Sequence, residues 1–361
     1  MTNKYIVAMD SFKGSLSSLD AGMAVTDALK GADGGADVTV IPVSDGGEGM
    51  LDTFMTFASW RKISVDVHDL MMRPCRAEYI VLPDGTAVIE TARVVGLSLV
   101  EESLRNPLVA TSYGVGEMMA HAVRSGCCRM VIGLGGSGVS DAGIGMIRAL
   151  IDIFAPHATA DALLDGELGQ CRITVASDVT SPLCGPDGAA RMFGGQKGAD
   201  AAMIEKLEGR AARFASLSAR HFGYDRSSEP GAGAAGGLGY ALMQYLGAEM
   251  RSGADIVLDM AGFDRLIADA TCVVTGEGHA DRQTLEGKLP ARVLGRARVL
   301  GVPVWLVAGG VDDAPYLSNA GFTRIASVSP EDMPLCQAML PDVARANIRL
   351  TVHKMMNNAD I

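Results

Sequence analysis

Five times in this chain a short apolar run stops at a carboxylate set among small residues. Ile6-Val7-Ala8-Met9 ends at Asp10, and Val40-Ile41-Pro42-Val43 runs into Ser44-Asp45-Gly46-Gly47-Glu48-Gly49. Met130-Val131-Ile132 opens a loop from Gly133 to Gly145 that carries Asp141. Ile173-Thr174-Val175-Ala176 leads to Asp178, and Cys272-Val273-Val274 leads to Gly276-Glu277-Gly278 and Asp281. Apolar runs without alternation are what strands buried on both faces of a parallel sheet look like. In open α/β sheets ligands sit beyond the carboxyl ends of the strands. Acids, glycines and bare N–H groups gathered there predict a site for a metal and a phosphate.

Size and charge narrow the classes further. At 361 residues the chain exceeds the usual ceiling for one hydrophobic core, so two domains are expected. The 44 glycines, against 5% aromatic residues, favour tight α/β turns over β-sandwiches. A net charge of −11 opposes nucleic acid as a partner, because no basic stripe is present to release counterions. The seven cysteines form no CxxC pair, so neither a zinc site nor a disulfide framework is expected. No apolar stretch reaches membrane-spanning length and the first residues do not read as a signal peptide, so a cytoplasmic protein is expected. A homodimer is compatible with the sequence.

Residues 5–9 read as a strand, followed by helical spacing over 16–29 with Ser15, Ser17 or Ser18 as N-cap. A second strand is expected at 38–43 and a helix at 50–58. Short strands joined by tight turns then follow at 63–67, 75–82 and 87–90. Helical patterns return at 114–125 and 142–154. Near the end, strands at 272–275, 302–308 and 325–328 alternate with helices at 289–300 and 333–347. The last third thus resembles the first sixty residues more than the middle does. The expected fold is α/β with two domains and an active site in the cleft between them. One domain, residues 1–60 with 265–361, is a doubly wound Rossmann/flavodoxin-like parallel sheet built from both termini. The other, 61–264, is an inserted mixed α/β domain.

Two loops match GxGxxG, at Gly133-Leu134-Gly135-Gly136-Ser137-Gly138 and at Gly231 to Gly236. The match alone is weak, since glycines also serve tight turns. The first loop adds Ser137, Ser140 and Asp141, and both precede helical stretches whose N-termini attract anions. Gly135, Gly136, Ser137, Gly233 and Gly236 are therefore candidate phosphate-binding residues. No GxxxxGK[ST] occurs, so this is not a P-loop protein. Lys13, Lys197 and Lys288 lie in glycine-rich, acid-bearing segments, where cations suit phosphoryl transfer. Glu48 and Asp141 also fit as simple helix caps. The six histidines show no metal-binding spacing, and the serines lack a nucleophile-elbow context.

Taken together, these segments resemble the bacterial glycerate kinase family. The likeness rests on Asp10-Ser11-Phe12-Lys13, Pro42 to Gly49, Asn106 to Gly114 and Gly135-Gly136-Ser137. It continues through Ser177-Asp178-Val179, Gly194 to Ala199, Pro230 to Gly239 and Thr275 to Gly278, in order along most of the chain. The resemblance implies ATP-dependent phosphorylation of D-glycerate with Mg²⁺, usually to 2-phosphoglycerate. On that reading Lys13 and Asp178 are catalytic, Lys13 neutralising phosphate charge and Asp178 orienting or deprotonating the acceptor hydroxyl. Ser11, Arg282 and Lys197 would contact substrate, while Asp45 and Glu277 would hold the metal. Val139 and Ser140, Ser181, Gly195, His279 and Arg282 depart from the family pattern.

Three other readings stay open. One is a kinase of a different small hydroxy acid. Another is a nucleotide-dependent oxidoreductase, for which Asp152, Asp161 and Asp165 lie near the distance of a ribose-binding acid but without a clear strand before them. The third is a non-catalytic metabolite-binding protein, against which stands the retention of Lys13, Asp45, Asp178 and Glu277.

Overall fold

The computed structural model describes residues 2–44, 46–47, 49–157, 159–330 and 332–357. Its strands are β1 (Lys4–Met9), β2 (Asp37–Val40), β3 (Arg61–His68), β4 (Pro74–Val81), β5 (Thr86–Glu90), β6 (Arg129–Gly133) and β7 (Arg172–Ala176). They continue with β8 (Glu249–Arg251), β9 (Cys272–Gly276), β10 (His279–Ala280), β11 (Val304–Ala308), β12 (Gly310–Val311) and β13 (Arg324–Ser327). Packing divides the chain into two units, Met1–Ser44 with Ala254–Ile361, and Asp45–Gly253.

The terminal unit has a sheet of order β13-β11-β9-β1-β2, every pairing parallel. The chain steps from β1 to one edge, returns to the other side of β1 as β9, and continues outward. That is the flavodoxin-like order, with its topological switch point between β1 and β9. Ile6, Val7, Ala8 and Met9 are all 0% exposed, which is why their run does not alternate.

Ser17 caps the helix Ser18–Ala32 by accepting the Asp20 N–H at 3.1 Å. Replacing Ser17 with Ala should cost about 1 kcal/mol, read as a lower urea midpoint at unchanged slope. Next to it, the buried Ser18 hydroxyl donates to Met9 O at 2.6 Å and accepts the Val43 N–H at 2.7 Å. One side chain thereby ties the end of β1 to the segment after β2. The sequence pattern extends that second strand to residue 43, whereas β2 stops at Val40. Pro42 has no N–H with which to continue the ladder.

The helix expected at 333–347 is two. A single turn, Leu335–Ala338, is followed by Pro341–Met356, with proline in the first turn where no N–H is needed. The second helix buries Ile348, Val352 and Met355 completely. It pairs Arg345 with Asp20 at 2.9 Å and Arg349 with Asp27.

The central unit has a mixed sheet of order β3-β4-β5-β6-β7-β8. β3, β4 and β5 form an antiparallel meander, and β5 to β8 run parallel. Residues 45–60, assigned to the terminal unit from sequence, group with this one. The reason is visible at the helix Met50–Phe57, where the Leu51 N–H donates to Glu90 Oε2 at the tip of β5, 3.1 Å away. Residues 254–264 group with the terminal unit, held by Arg296 to Asp255 and Asp259 at 3.4 and 2.6 Å.

Candidate functional site

At the switch point of the terminal unit, β1 and β9 end side by side, and the Asp10 N–H donates to Gly276 O at 2.8 Å. Glycine is required at 276, since a Cβ there would lie 1.8 Å from Val307 O. A Cβ on Gly278 would come within 3.8 Å of Lys13 N, so the 276–278 turn runs beside the 11–13 segment. Between those glycines Glu277 is only 6% exposed. Its Oε2 meets Lys288 Nζ at 3.3 Å, and its enclosed Oε1 has no partner among the described residues. Lys13 is exposed and pairs with no described carboxylate. Ser11 is half-buried, with its N–H on Asp10 Oδ1 at 2.6 Å.

Arg282 is engaged elsewhere. Its Nε donates to Asp313 Oδ2 at 2.8 Å, and its guanidinium carbon lies 5.0 Å from the Tyr316 ring centre. His279 meets Asp312 at 3.0 Å. The two residues of this loop that depart from the family pattern thus each face an acid at 312 or 313. A substrate carboxylate at Arg282 would share the guanidinium with Asp313.

In the central unit the Gly46-Gly47 turn lies over the tips of β6 and β7. A Cβ on Gly46, at φ +87°, would sit 2.2 Å from Ala176 O, and one on Gly135 would sit 2.2 Å from Gly47 Cα. The Gly135 N–H donates to Gly46 O at 3.0 Å, so this amide serves packing and is not available to a phosphate. Gly136 and Ser137 differ. Gly136 O accepts the Leu97 N–H at 2.8 Å and the Gly138 N–H donates to Val95 O at 2.7 Å, yet neither amide between them donates to a described residue. Asp45, expected to hold a metal, lies outside the described residues.

Gly233 and Gly236 are also packing residues. The Gly233 N–H donates to Ser181 O at 2.9 Å, and a Cβ on Gly236 would lie 2.1 Å from Val139 O. Ala235, Gly236 and Gly237 are all left-handed, a kink that lets the Ala142 N–H reach Gly236 O at 3.0 Å. Asp141 acts as the cap its alternative reading proposes. It accepts the N–H groups of Gly143 and Gly145 at 3.1 Å each, before the helix Ile144–Phe154, and the Ser112 N–H and hydroxyl at 2.8 and 2.9 Å.

Lys197 is 2% exposed, and its Nζ donates to Val139 O at 2.6 Å. Burial pushes its ammonium down to about 8, with Asp141 pulling the other way. Asp178 is exposed at the end of β7, where its Oδ1 accepts the Gly253 N–H at 3.2 Å. Sequence reasoning passed over Glu90, which is 1% exposed and which burial holds above the usual carboxylate range. Its signal was present, because Ala87-Val88-Ile89 ending at Glu90 repeats the opening pattern. Among the described residues no three His, Cys, Asp or Glu side chains gather to hold a metal. Mg²⁺ commonly takes one or two carboxylates and fills its shell with phosphate and water. The unpartnered Glu277 oxygen fits that role.

The model of the Glycerate kinase family matches residues 5–359. The chain is similar to a protein named glycerate kinase from Bacillus subtilis (strain 168), 39% identical over 92% of each chain. It is likewise similar to a glycerate 2-kinase from Escherichia coli (strain K12), 36% identical over 99% of this chain and 100% of that one. A crystal structure described as a candidate glycerate kinase 2 from Salmonella typhimurium LT2 superposes with a TM-score of 0.79 at 35% identity, covering 99% and 98% of the two chains. With a family match spanning nearly its whole length and relatives matched over 92% and 100% of their own lengths, this chain is a kinase and belongs to the glycerate kinase family.

Proposed function

We propose that the protein transfers the γ-phosphoryl group of ATP to the 2-hydroxyl of D-glycerate, releasing ADP and 2-phosphoglycerate in the cytoplasm. The bond from Pγ to the β,γ-bridging oxygen breaks as the bond from Pγ to the glycerate oxygen forms, and the hydroxyl proton leaves to Asp178 or solvent. Because the transition state is loose, the protein's work is placement and charge compensation. Lys13 supplies positive charge, and the free amides of Gly136 and Ser137 supply donors to phosphate oxygens. Asp178 orients the acceptor hydroxyl, and Ser11 offers it a hydrogen-bonding partner. Glu277 would hold Mg²⁺, which when bound offsets charge on the phosphates.

The observation that carries the phosphoryl-transfer reading is Glu277. With Lys288 on one oxygen and no described partner on the other, this enclosed carboxylate keeps an acceptor at a topological switch point that a metal ion would satisfy. Its relatives' names support glycerate as acceptor. The test is ADP release with ATP, Mg²⁺ and D-glycerate, followed by ³¹P NMR of the product. Coupling of phosphorus to one carbon-bound proton identifies the 2-phosphate, and coupling to two identifies the 3-phosphate. ADP release that ignores D-glycerate would end the reading.

A further inference from the structure

The central unit contains a narrow cavity lined by the side chains of Leu70, Met71, Leu97 and Val100 and by two cations, Arg105 and Lys197. It has room for about one water-sized group, the size of a single carboxylate oxygen and far too little for a nucleotide. Lys197 has three donors, and its ammonium meets one acceptor, Val139 O. The Arg105 Nε is enclosed with no acceptor, and among the described residues its guanidinium has no acidic partner. Buried cations are normally paired, because an unpaired one forfeits hydration without compensation. Here the buried Lys197 and the enclosed Nε of the half-buried Arg105 line the same largely apolar space. Their juxtaposition depends on Gly198 at φ +89°, where a Cβ would lie 2.9 Å from Arg105 O. The turn carrying Lys197 is therefore pressed against the Arg105 backbone.

We propose that this cavity is the subsite for the carboxylate of the acceptor substrate, with Arg105 and Lys197 as its cationic ligands. The proposal rests on the hydroxy-acid kinase reading above and replaces Arg282, whose charge Asp313 already meets, with Arg105. One carboxylate oxygen entering that space would satisfy the Arg105 Nε and a second Lys197 donor through charge-assisted bonds. The apolar wall strengthens both contacts by excluding water.

The test compares wild type with Arg105→Met, Lys197→Met and Arg105→Lys. Steady-state kinetics vary D-glycerate and ATP separately, and calorimetric titration with D-glycerate gives affinity without turnover. We expect KM and Kd for D-glycerate to rise at least 30-fold in both Met variants, with KM for ATP within threefold of wild type. Arg105→Lys keeps a charge in the cavity and should recover most of the loss, which a purely structural role would not produce. Unchanged glycerate affinity in both Met variants overturns the subsite while leaving the kinase reading intact, as does a parallel rise in KM for ATP. Wild type that binds D-glycerate without turning it over defeats the kinase reading, and the titrations still judge the subsite. Wild type that fails to bind D-glycerate overturns the subsite.

Discussion

Glu277→Gln should lower kcat about a hundredfold, roughly 2.7 kcal/mol of transition-state stabilisation, while leaving the protein at least as resistant to heat. The two halves of this result come from different atoms. Gln keeps the size and much of the hydrogen-bonding of Glu but removes the charge that a cation at Oε1 would need. On the folded-state side, wild type encloses a carboxylate whose Oε1 has no partner, an arrangement that costs stability. Lys288, the partner on Oε2, has 41% of its side chain exposed, so water can rehydrate it when the charge at 277 goes. Loss of activity with no loss of Tm would mark a residue kept for function at the expense of stability. Activity within threefold of wild type would remove Glu277 from the site. So would an equal loss of activity and stability, because that pattern fits a structural role.

How far this was legible in the sequence differs between the two units. The terminal unit was readable because its strands are buried on both faces, so each appears as an unbroken apolar run ending where the ligand-facing loop begins. Asp10 and Glu277 mark adjacent strand tips for that reason. The glycine loops were less transparent. GxGxxG reports only that backbone comes close to something, and at Gly233 and Gly236 the something is other backbone. Asp141 shows the same ambiguity for a carboxylate, since capping a helix and binding a ligand both ask for an acid after a glycine. Arg105 was invisible because its significance is a missing partner, and a one-dimensional chain cannot show which charges end up unpaired. The helix Ala201–Phe222 went unread because it lies largely at the surface and buries only Leu207, Ala215 and Ser218. The domain boundary slipped at residues 45–60, where packing depends on the Leu51 bond to Glu90, 39 residues away.

The second large effect concerns stability and pH. In wild type Lys197 titrates at about 8, against about 10.4 for a lysine in an unfolded chain. Between those values the unfolded protein holds more protons than the folded one, so folding becomes more favourable as pH rises through that window. Below pH 8 the full penalty applies, on the order of 3 kcal/mol. Lys197→Met fills the same space with no charge to desolvate, at the price of leaving Val139 O without its donor, itself worth about 1–3 kcal/mol. The absolute difference at pH 7 depends on how well water reaches that carbonyl. Its change with pH does not, because every other titrating group is common to both proteins. Urea unfolding at half-unit steps from pH 7 to 10.5 should therefore show wild type gaining about 3 kcal/mol on the variant. A difference constant to within 0.5 kcal/mol across that range would mean that Lys197 is not held in the low-dielectric cavity from which its anion-binding role is argued.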